Sequence, residues 1–139
     1  MERRIVPDVI GQQQLVMLPS SATVREAAIR MSERQVGAVL VTRDGALEGI
    51  FTERDLLHRV VAPGRDPNGT RLVEVMTKNP DTIEADGYAI EALSRMSERG
   101  YRHLPVLDQG RLVGIVSRRD FLGEEIILVE EEFGHEQRF

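Results

Sequence analysis

The sequence predicts a mixed α/β fold of two similar halves, each with the element order β-α-β-β-α, whose sheets pack face to face with the helices outside. Three observations predict it: an internal repeat, an amphipathic helical stripe that opens each copy, and two β-like apolar runs joined by a turn. A unit of about 60 residues buries too little apolar surface to be comfortably stable alone. We therefore expect a pseudo-twofold pair with equivalent clefts between the halves.

The repeat has a constant offset of 65 residues and no gap. In the first part of each copy, VREAAIRMSER at 24–34 aligns with AIEALSRMSER at 89–99. In the second part, GALEGIFTERDLL at 45–57 aligns with GRLVGIVSRRDFL at 110–122. Because one offset serves both parts, the two copies are expected to share one fold.

A helix with one buried stripe is the first long element predicted in each copy. Apolar residues recur at the i, i+3, i+4, i+7 spacing of a single helical face. They are Val24, Ala27, Ala28 and Met31 in the first copy and Ala89, Ala92, Leu93 and Met96 in the second. Thr23 and Glu26 predict a capping box for the first helix. Tyr88 replaces the threonine in the second copy, so we expect a weaker cap there and an aromatic ring near a pocket.

Two apolar runs follow each helix and meet at a turn, which is typical of a hairpin. The turns are Asp44-Gly45 and Gln109-Gly110. A second helix is predicted after each hairpin, ERDLLHRVVA in the first copy and RRDFLGEEI in the second, and a short extra strand before each first helix, at 14–18 and 81–83. The predicted division is 10–62 for the first repeat, 63–71 for a turn-rich linker, 72–125 for the second repeat and 126–139 for an acidic tail.

The composition excludes several classes of function. Cysteine is absent, which excludes disulfides and thiolate chemistry. No apolar run is long enough for a membrane span or a signal peptide, so a cytoplasmic protein without a membrane partner is expected. The net charge of −5 argues against a nucleic-acid partner. His58, His103 and His135 lack metal-ligand spacing, and no nucleophile lies beside a base, so we expect neither a metal site nor an enzyme with a catalytic cofactor.

The motif GIFTERD at 49–55 returns as GIVSRRD at 114–120. A hydroxyl residue before a helix and an aspartate three residues later fit a helix cap. An aspartate is shorter than the glutamate or glutamine that usually closes such a box, which favours a second use. The free N–H groups of a helix start suit a phosphate, while the aspartate can accept two ribose hydroxyls. Capping and binding are compatible, and both interpretations stay open.

With these motifs, the chain resembles tandem CBS-domain proteins, an arrangement called a Bateman module. The resemblance covers roughly residues 5–126 and rests on VREAAIRM, VGAVLV, DGALEGIFTERDLL, VMTKNP, AIEALSRM and RHLPVLDQGRLVGIVSRRD. It implies that each repeat can bind an adenosine-containing regulatory ligand: AMP, ADP, ATP, NAD(H) or S-adenosylmethionine. It also implies that Asp55 and Asp120 accept ribose hydroxyls and that Thr52 and Ser117 contact the ribose or phosphate.

The remaining site residues implied by the resemblance come from neighbouring strands. They are Leu18, Gly37 and Ala38 in the first copy, and Ile83, Tyr101, Arg102 and His103 in the second. The free positions of the motif are Glu53-Arg54 in the first copy and Arg118-Arg119 in the second. Because the second motif is the more positive, we expect its site to prefer the ligand with more phosphate charge.

The resulting hypothesis is a stand-alone regulatory module for signal transduction and energy sensing, which changes conformation on binding a nucleotide. A homodimer is expected, and the output must pass to an unknown effector protein because the repeats fill nearly the whole chain. Two alternatives stay open: a constitutive dimerisation scaffold with empty clefts, and a sensor of another ligand such as a metal ion or a nucleic acid. The tail is expected either as a solvated helix end or as an apolar contact to a second subunit or effector, through Ile126, Ile127, Val129 and Phe133.

Overall fold

The computed structural model describes residues 2–137, and the side chains of residues 2–132. It has two small sheets with helices, which confirms the predicted mixed α/β class. The described chain divides into two compact units. The central unit is Gln14–Pro80, and the terminal unit joins the residues up to Gln13 with those from Asp81 onward. The predicted linker thus lies inside the central unit, while the predicted bounds of the repeats remain a prediction.

The central unit contains a four-stranded sheet of order β1-β2-β3-β4. Its elements are β1 (Met17–Leu18), α1 (Val24–Arg34), β2 (Ala38–Arg43), β3 (Ala46–Thr52), α2 (Glu53–Asp55) with π-helical turns at Leu56–Val61, α3 (Leu72–Val75) and β4 (Thr77–Lys78). The predicted hairpin pairs β2 with β3 antiparallel, and the short strand β1 joins β2 in parallel. Strand β4 and helix α3 are additions that the sequence patterns did not predict.

The terminal unit contains a three-stranded sheet of order β5-β6-β7. Its elements are β5 (Ile83–Glu84), α4 (Ala89–Arg99), β6 (His103–Asp108), β7 (Arg111–Ser117), a 3-10 turn at Arg118–Asp120 and α5 (Gly123–Gln137). All four residues of the predicted stripe on α4 are buried, as are Val24, Ala27 and Met31 on α1. Ala28 is half-buried.

The first helix of each unit is capped by a segment from outside its own repeat. The N–H of Val24 donates to the carbonyl of Thr70 over 2.9 Å, and the N–H of Ala89 donates to that of Arg3 over 2.7 Å. Thr23 adds the predicted cap by accepting from the N–H of Glu26 over 3.1 Å. Tyr88 makes no such bond, so of these two kinds of bond the helix of the second copy has the backbone one, from Ala89 to Arg3.

The segment that precedes β1 docks on the terminal unit much as residues 70–78 dock on the central unit. Ile5 donates to the carbonyl of Gly87 over 2.8 Å, and Leu72 donates to that of Ala22 over 2.9 Å. Both Ile5 and Leu72 are fully buried. Because Ala22 and Gly87 are 65 positions apart, the two segments occupy equivalent places in the two units.

The glycines of the repeated motif are explained by close packing of these segments. A Cβ added at Gly49 would lie 2.7 Å from Met76 Sδ, and one added at Gly114 would lie 2.6 Å from Ile10 Cδ1. Real side chains do not approach so closely, so the glycines leave room for Met76 and Ile10. The glycine that opens GIFTERD and GIVSRRD therefore has a packing role.

The second strand of each hairpin is paired on its far side, by a backbone strand in the central unit and by a side chain in the terminal unit. In the central unit, Ile50 of β3 pairs with Thr77 of β4. In the terminal unit, the N–H of Ile115 donates to Gln13 Oε1 over 2.9 Å, and Gln13 Nε2 donates to the carbonyl of Ile115 over 3.1 Å. The side-chain amide of Gln13 thus replaces a peptide group of the missing strand.

A continuous second helix was predicted in the second copy, and this prediction was wrong, because the helix is interrupted. The chain leaves the 3-10 turn at Phe121, whose backbone is extended with φ −93° and ψ 156°, and α5 begins two residues later. The break buries Phe121 to 6% exposure, and the N–H of Leu122 donates to Glu125 Oε1 over 2.8 Å. A continuous helix would carry this phenylalanine out of its place in the core.

Helix α5 includes most of the predicted acidic tail and packs against α4. Val129 is 2% exposed and Glu125 is 8% exposed, whereas Ile127 and Leu128 are each 58% exposed. The side chains of Phe133 and His135 fall outside the described ones, and Arg138 lies outside the described residues. The apolar residues of the tail therefore divide between the core of the terminal unit and its surface.

Candidate functional site

The first motif closes as a capping box at the junction of β3 and α2. The N–H of Thr52 donates to Asp55 Oδ2 over 2.9 Å, and the N–H of Asp55 donates to Thr52 Oγ1 over 3.2 Å. The box closes although an aspartate is shorter than the usual glutamate or glutamine. Both bonds form because β3 delivers Thr52 in an extended conformation, with φ −115° and ψ 166°, directly before the helical turn.

Asp55 is enclosed by its own element. It is 9% exposed, the Thr52 hydroxyl lies 3.1 Å from Oδ2, and Arg59 Nε lies 3.6 Å from Oδ1. Both carboxylate oxygens therefore have partners within the motif and the turn that follows it. A ligand hydroxyl at Asp55 would have to share or displace these contacts.

The start of β2 lies beside the first motif, as expected. The N–H of Glu53 donates to the carbonyl of Gly37 over 3.0 Å, and Ala38 pairs with Thr52 across the hairpin. Leu18 is on the adjoining strand β1, at the register of Val41. The structure thus groups Gly37 and Ala38 with the motif and places Leu18 further along the sheet.

The second motif has the same backbone frame but a more open aspartate. The N–H of Ser117 donates to Asp120 Oδ2 over 2.7 Å, and the N–H of Arg118 donates to the carbonyl of Arg102 over 2.9 Å. His103 pairs with Ser117 across the hairpin. Asp120 is exposed where Asp55 is buried, because the chain turns away at Phe121 instead of continuing as a helix.

Two other predicted site residues of the second copy, Ile83 and Arg119, differ from the residues just described. Ile83 of β5 is 3% exposed, belongs to the core of the terminal unit and pairs with Val106 of β6. Arg119 is exposed. The group at the motif therefore consists of Arg102, His103, Ser117, Arg118 and Asp120, with Tyr101 next to it in the chain.

An open depression of 540 Å³ lies beside the second motif, between the carboxyl end of α4 and the start of β6. Its lining residues all belong to the terminal unit: Met96, Ser97, Glu98, Arg99, Gly100, Tyr101, Arg102 and Arg118. Three of them, Arg99, Arg102 and Arg118, carry guanidinium groups, and Glu98 carries a carboxylate. Tyr88, expected near a pocket, lies instead against Arg4, whose guanidinium carbon is 4.6 Å from the ring centroid.

Two acidic residues that the sequence analysis missed hold this depression in place. Asp81 Oδ2 accepts from the Tyr101 hydroxyl over 2.8 Å and from Arg99 over 3.2 Å. Burial, together with the hydrogen bond to Asp81, raises the pKa of Tyr101 to about 12. Glu130 of α5 accepts from Arg118 over 3.0 Å. No sequence signal pairs these residues, because the contacts depend on how α4 and α5 pack.

Among residues 2–132, whose side chains are described, no three His, Cys, Asp or Glu side chains are grouped closely enough to hold a metal ion. None of the helices in the described part of the chain is long and apolar enough to cross a membrane.

The model of the CBS domain family matches the chain twice, over residues 8–62 and 72–126. The chain belongs to the CBS-domain family. The CBS domain-containing protein CBSCBSPB3 of Arabidopsis thaliana is 37% identical over 115 residues, which are 82% of this chain and 21% of the plant protein. The CBS domain-containing protein YhcV of Bacillus subtilis is 36% identical over 115 residues, which are 83% of this chain and 81% of that protein.

Solved structures of CBS proteins share the fold. The CBS domain protein PAE2072 from Pyrobaculum aerophilum, complexed with AMP, has a TM-score of 0.76 at 27% identity and covers 86% of this chain and 94% of its own. A hexameric CBS-CP12 protein from bloom-forming cyanobacteria has a TM-score of 0.71 at 28% identity and covers 92% of this chain and 72% of its own. The CBS-domain chain described here spans about a fifth of the length of the plant relative.

Proposed function

We propose that this CBS-domain pair is a regulatory module that binds an adenosine-containing ligand at its second motif and passes the signal to a partner protein without catalysing a reaction. The observation that carries the proposal is the exposed carboxylate of Asp120, held next to Ser117 and within one unit with Arg102 and Arg118. A carboxylate can accept two vicinal ribose hydroxyls, while the guanidinium groups suit phosphate oxygens. The AMP complex of the Pyrobaculum aerophilum protein supports this ligand class.

The two motifs are proposed to differ in use. Asp55 is 9% exposed and already contacts Thr52 and Arg59, so ligand binding there competes with the cap. Asp120 is exposed and can bind a hydroxyl without leaving Ser117. We therefore assign the stronger nucleotide site to the second copy and a weaker one, or a purely structural cap, to the first.

Charge is proposed to select the ligand at the second motif. Arg102 and Arg118 stand where the first copy has Gly37 and Glu53. Each added phosphate increases the attraction to two guanidinium groups. ATP and ADP should therefore bind the second site more tightly than AMP, and NAD(H), whose pyrophosphate carries less charge than the phosphates of ATP, should bind less tightly than ATP.

Signalling is proposed to follow from differential binding. A ligand transmits information only when it favours one conformation of the module over another, and a partner protein must then distinguish the two. A homodimer is our proposal for the assembly. The hexameric cyanobacterial CBS-CP12 protein shows that one protein of this fold assembles further, so the oligomeric state is to be measured with and without nucleotide.

A thermal-shift panel with AMP, ADP, ATP, NAD, NADH and S-adenosylmethionine tests the proposed function. A ligand that binds only the folded state at about 100 times its dissociation constant stabilises the protein by about 2.7 kcal/mol. We expect ATP and ADP to give the largest increase in melting temperature. No increase with any of the six at millimolar concentration would contradict nucleotide binding and favour a constitutive scaffold, in which Asp55 and Asp120 serve only as caps.

A further inference from the structure

We propose that Glu130 sets the affinity of the second motif for phosphate, because its carboxylate occupies the Arg118 guanidinium that a ligand phosphate would otherwise bind. The proposal rests on the proposed function and deepens it. It assigns to helix α5, which follows the repeated motif, a direct effect on ligand choice.

The contact is a direct ion pair at the edge of the depression. Arg118 donates to Glu130 Oε1 over 3.0 Å, and the two side chains are 25% and 56% exposed. Carboxylate and phosphate oxygens compete for the same N–H donors of arginine. The backbone N–H of Arg118 donates to the carbonyl of Arg102 over 2.9 Å, which holds the backbone of Arg118 beside the depression that this residue lines.

Arg99, another cation in the depression, pairs with a carboxylate that is harder to displace than Glu130. Arg99 pairs with Asp81 over 3.2 Å, and the same carboxylate oxygen accepts from the Tyr101 hydroxyl over 2.8 Å. Displacing Asp81 would therefore break two interactions, one of them at a half-buried tyrosine. Displacing Glu130 from Arg118 breaks an ion pair in which the glutamate is more than half exposed, so Glu130 is the carboxylate that a ligand phosphate can replace.

Helix α5 does not depend on this ion pair for its position. Val129 is 2% exposed in the core of the terminal unit, and Glu125 binds Arg3 over 2.7 Å. Glu130 can therefore turn toward solvent while α5 remains docked. The first copy has Glu53 at the position of Arg118, so this competition belongs to the second motif alone.

Calorimetric titration of the full chain with ATP and AMP tests the proposal. Glu130→Gln removes the competing charge and should tighten ATP binding about two- to five-fold, the range expected for losing one exposed ion pair. AMP, which has fewer phosphate charges, should gain less. Glu131→Gln is the matched control, since Glu131 is exposed on the same helix, and it should leave both affinities unchanged.

A double-mutant cycle makes the test specific. In an Arg118→Gln background, ATP should bind more weakly and Glu130→Gln should no longer improve it. If the wild type binds ATP while Glu130→Gln binds it equally or more weakly, the proposal is overturned and the proposed function stands. If neither the folded wild type nor the folded variant binds any nucleotide, the proposed function fails, and this inference fails with it.

Discussion

Asp55 and Asp120 occupy equivalent positions in the repeat, and their surroundings give them different capacities. Both accept from the N–H of the hydroxyl residue three positions earlier. Only Asp55 continues into a helical turn that brings an arginine, Arg59, within 3.6 Å of its second oxygen. The sequence could predict the cap, because the hydroxyl residue and the aspartate are local. It could not predict the difference in burial, which depends on where the chain turns after each aspartate.

Glu125 is the residue whose charge should matter most for stability. It is 8% exposed and binds Arg3 through both oxygens, over 2.7 and 3.1 Å. The hydrogen bond from Arg3 holds the pKa of Glu125 below its usual 4.5. We expect Glu125→Gln to lower the free energy of unfolding at neutral pH by about 1–2 kcal/mol. Chemical denaturation measures it, with Glu132→Gln on the exposed side of α5 as the control.

The pH dependence of that difference has a definite sign. A glutamate whose pKa is lower in the folded state contributes stability above its unfolded pKa of 4.5, and loses it as the pH falls through the folded value. The gap between wild type and Glu125→Gln should therefore be constant from neutral pH to about pH 5 and shrink below 4.5. A gap that widens on acidification would contradict the assigned ion pair.

Tyr101 should ionise well above the ordinary range for tyrosine. Burial and the hydrogen bond to Asp81 raise its pKa from 10 to about 12. The chain has two tyrosines and no tryptophan, so Tyr88→Phe leaves Tyr101 as the sole source of tyrosinate absorbance in an ultraviolet pH titration. We expect the midpoint to lie near 12 and to fall when Asp81→Asn is added.

The stability contribution of Tyr101 changes with pH in the opposite direction to that of Glu125. A raised pKa favours the neutral phenol in the folded state, so its contribution to stability is complete below pH 10 and is lost as the pH rises toward 12. Ionisation of Tyr101 at pH 10 in the folded Tyr88→Phe variant would show that the contact with Asp81 is absent in solution.

At the scale of elements, the two units provide different hydrogen-bond partners for the far side of the second hairpin strand. Backbone groups of β4 pair with Gly49 and Ile50, whereas the amide of Gln13 pairs with both backbone groups of Ile115. A primary amide has a carbonyl acceptor and two N–H donors, so its acceptor and one donor can match the two groups of a peptide. Gln13 therefore satisfies the backbone of β7 without adding a strand.

Gln13→Ala should expose the edge of β7 at one residue. Two hydrogen bonds are lost, and we expect destabilisation of about 1–2 kcal/mol together with faster hydrogen exchange at the Ile115 amide. Gln12→Ala is the control, since Gln12 is exposed next to it and should leave the exchange rate unchanged. Unaltered exchange at Ile115 in Gln13→Ala would contradict the assigned pairing.

Local patterns predicted most elements, and the exceptions involve distant contacts. The helices at Val24 and Ala89 and both hairpins follow from periodicity and turn residues. The sequence did not predict that the segment at Ile5 is equivalent to the segment at Leu72. These two residues are 67 positions apart, and a gapless comparison at an offset of 65 does not align them. The interruption of the predicted helix at buried Phe121 has a similar cause, because tertiary packing sets the position of this side chain in the core.

In the whole molecule, two related folding units carry one motif each, and we propose that the second motif is the better nucleotide site. The sequence predicted the family, the two motifs and the greater positive charge of the second. It could not predict the contact between Arg118 and Glu130, since that distance depends on how α5 docks. The contacts given above for each motif join residues of one unit, so single substitutions at Asp55 and Asp120 can test the two sites separately.

Calorimetric titration of ATP into the wild type, Asp55→Ala and Asp120→Ala tests the central claim most directly. We predict that Asp120→Ala weakens ATP binding at least ten-fold, a loss of about 1.4 kcal/mol that fits one charged hydrogen-bond acceptor, while Asp55→Ala changes it by less than about two-fold if the variant remains folded. Equal losses of affinity in the two variants, with no difference among AMP, ADP and ATP, would contradict the claim.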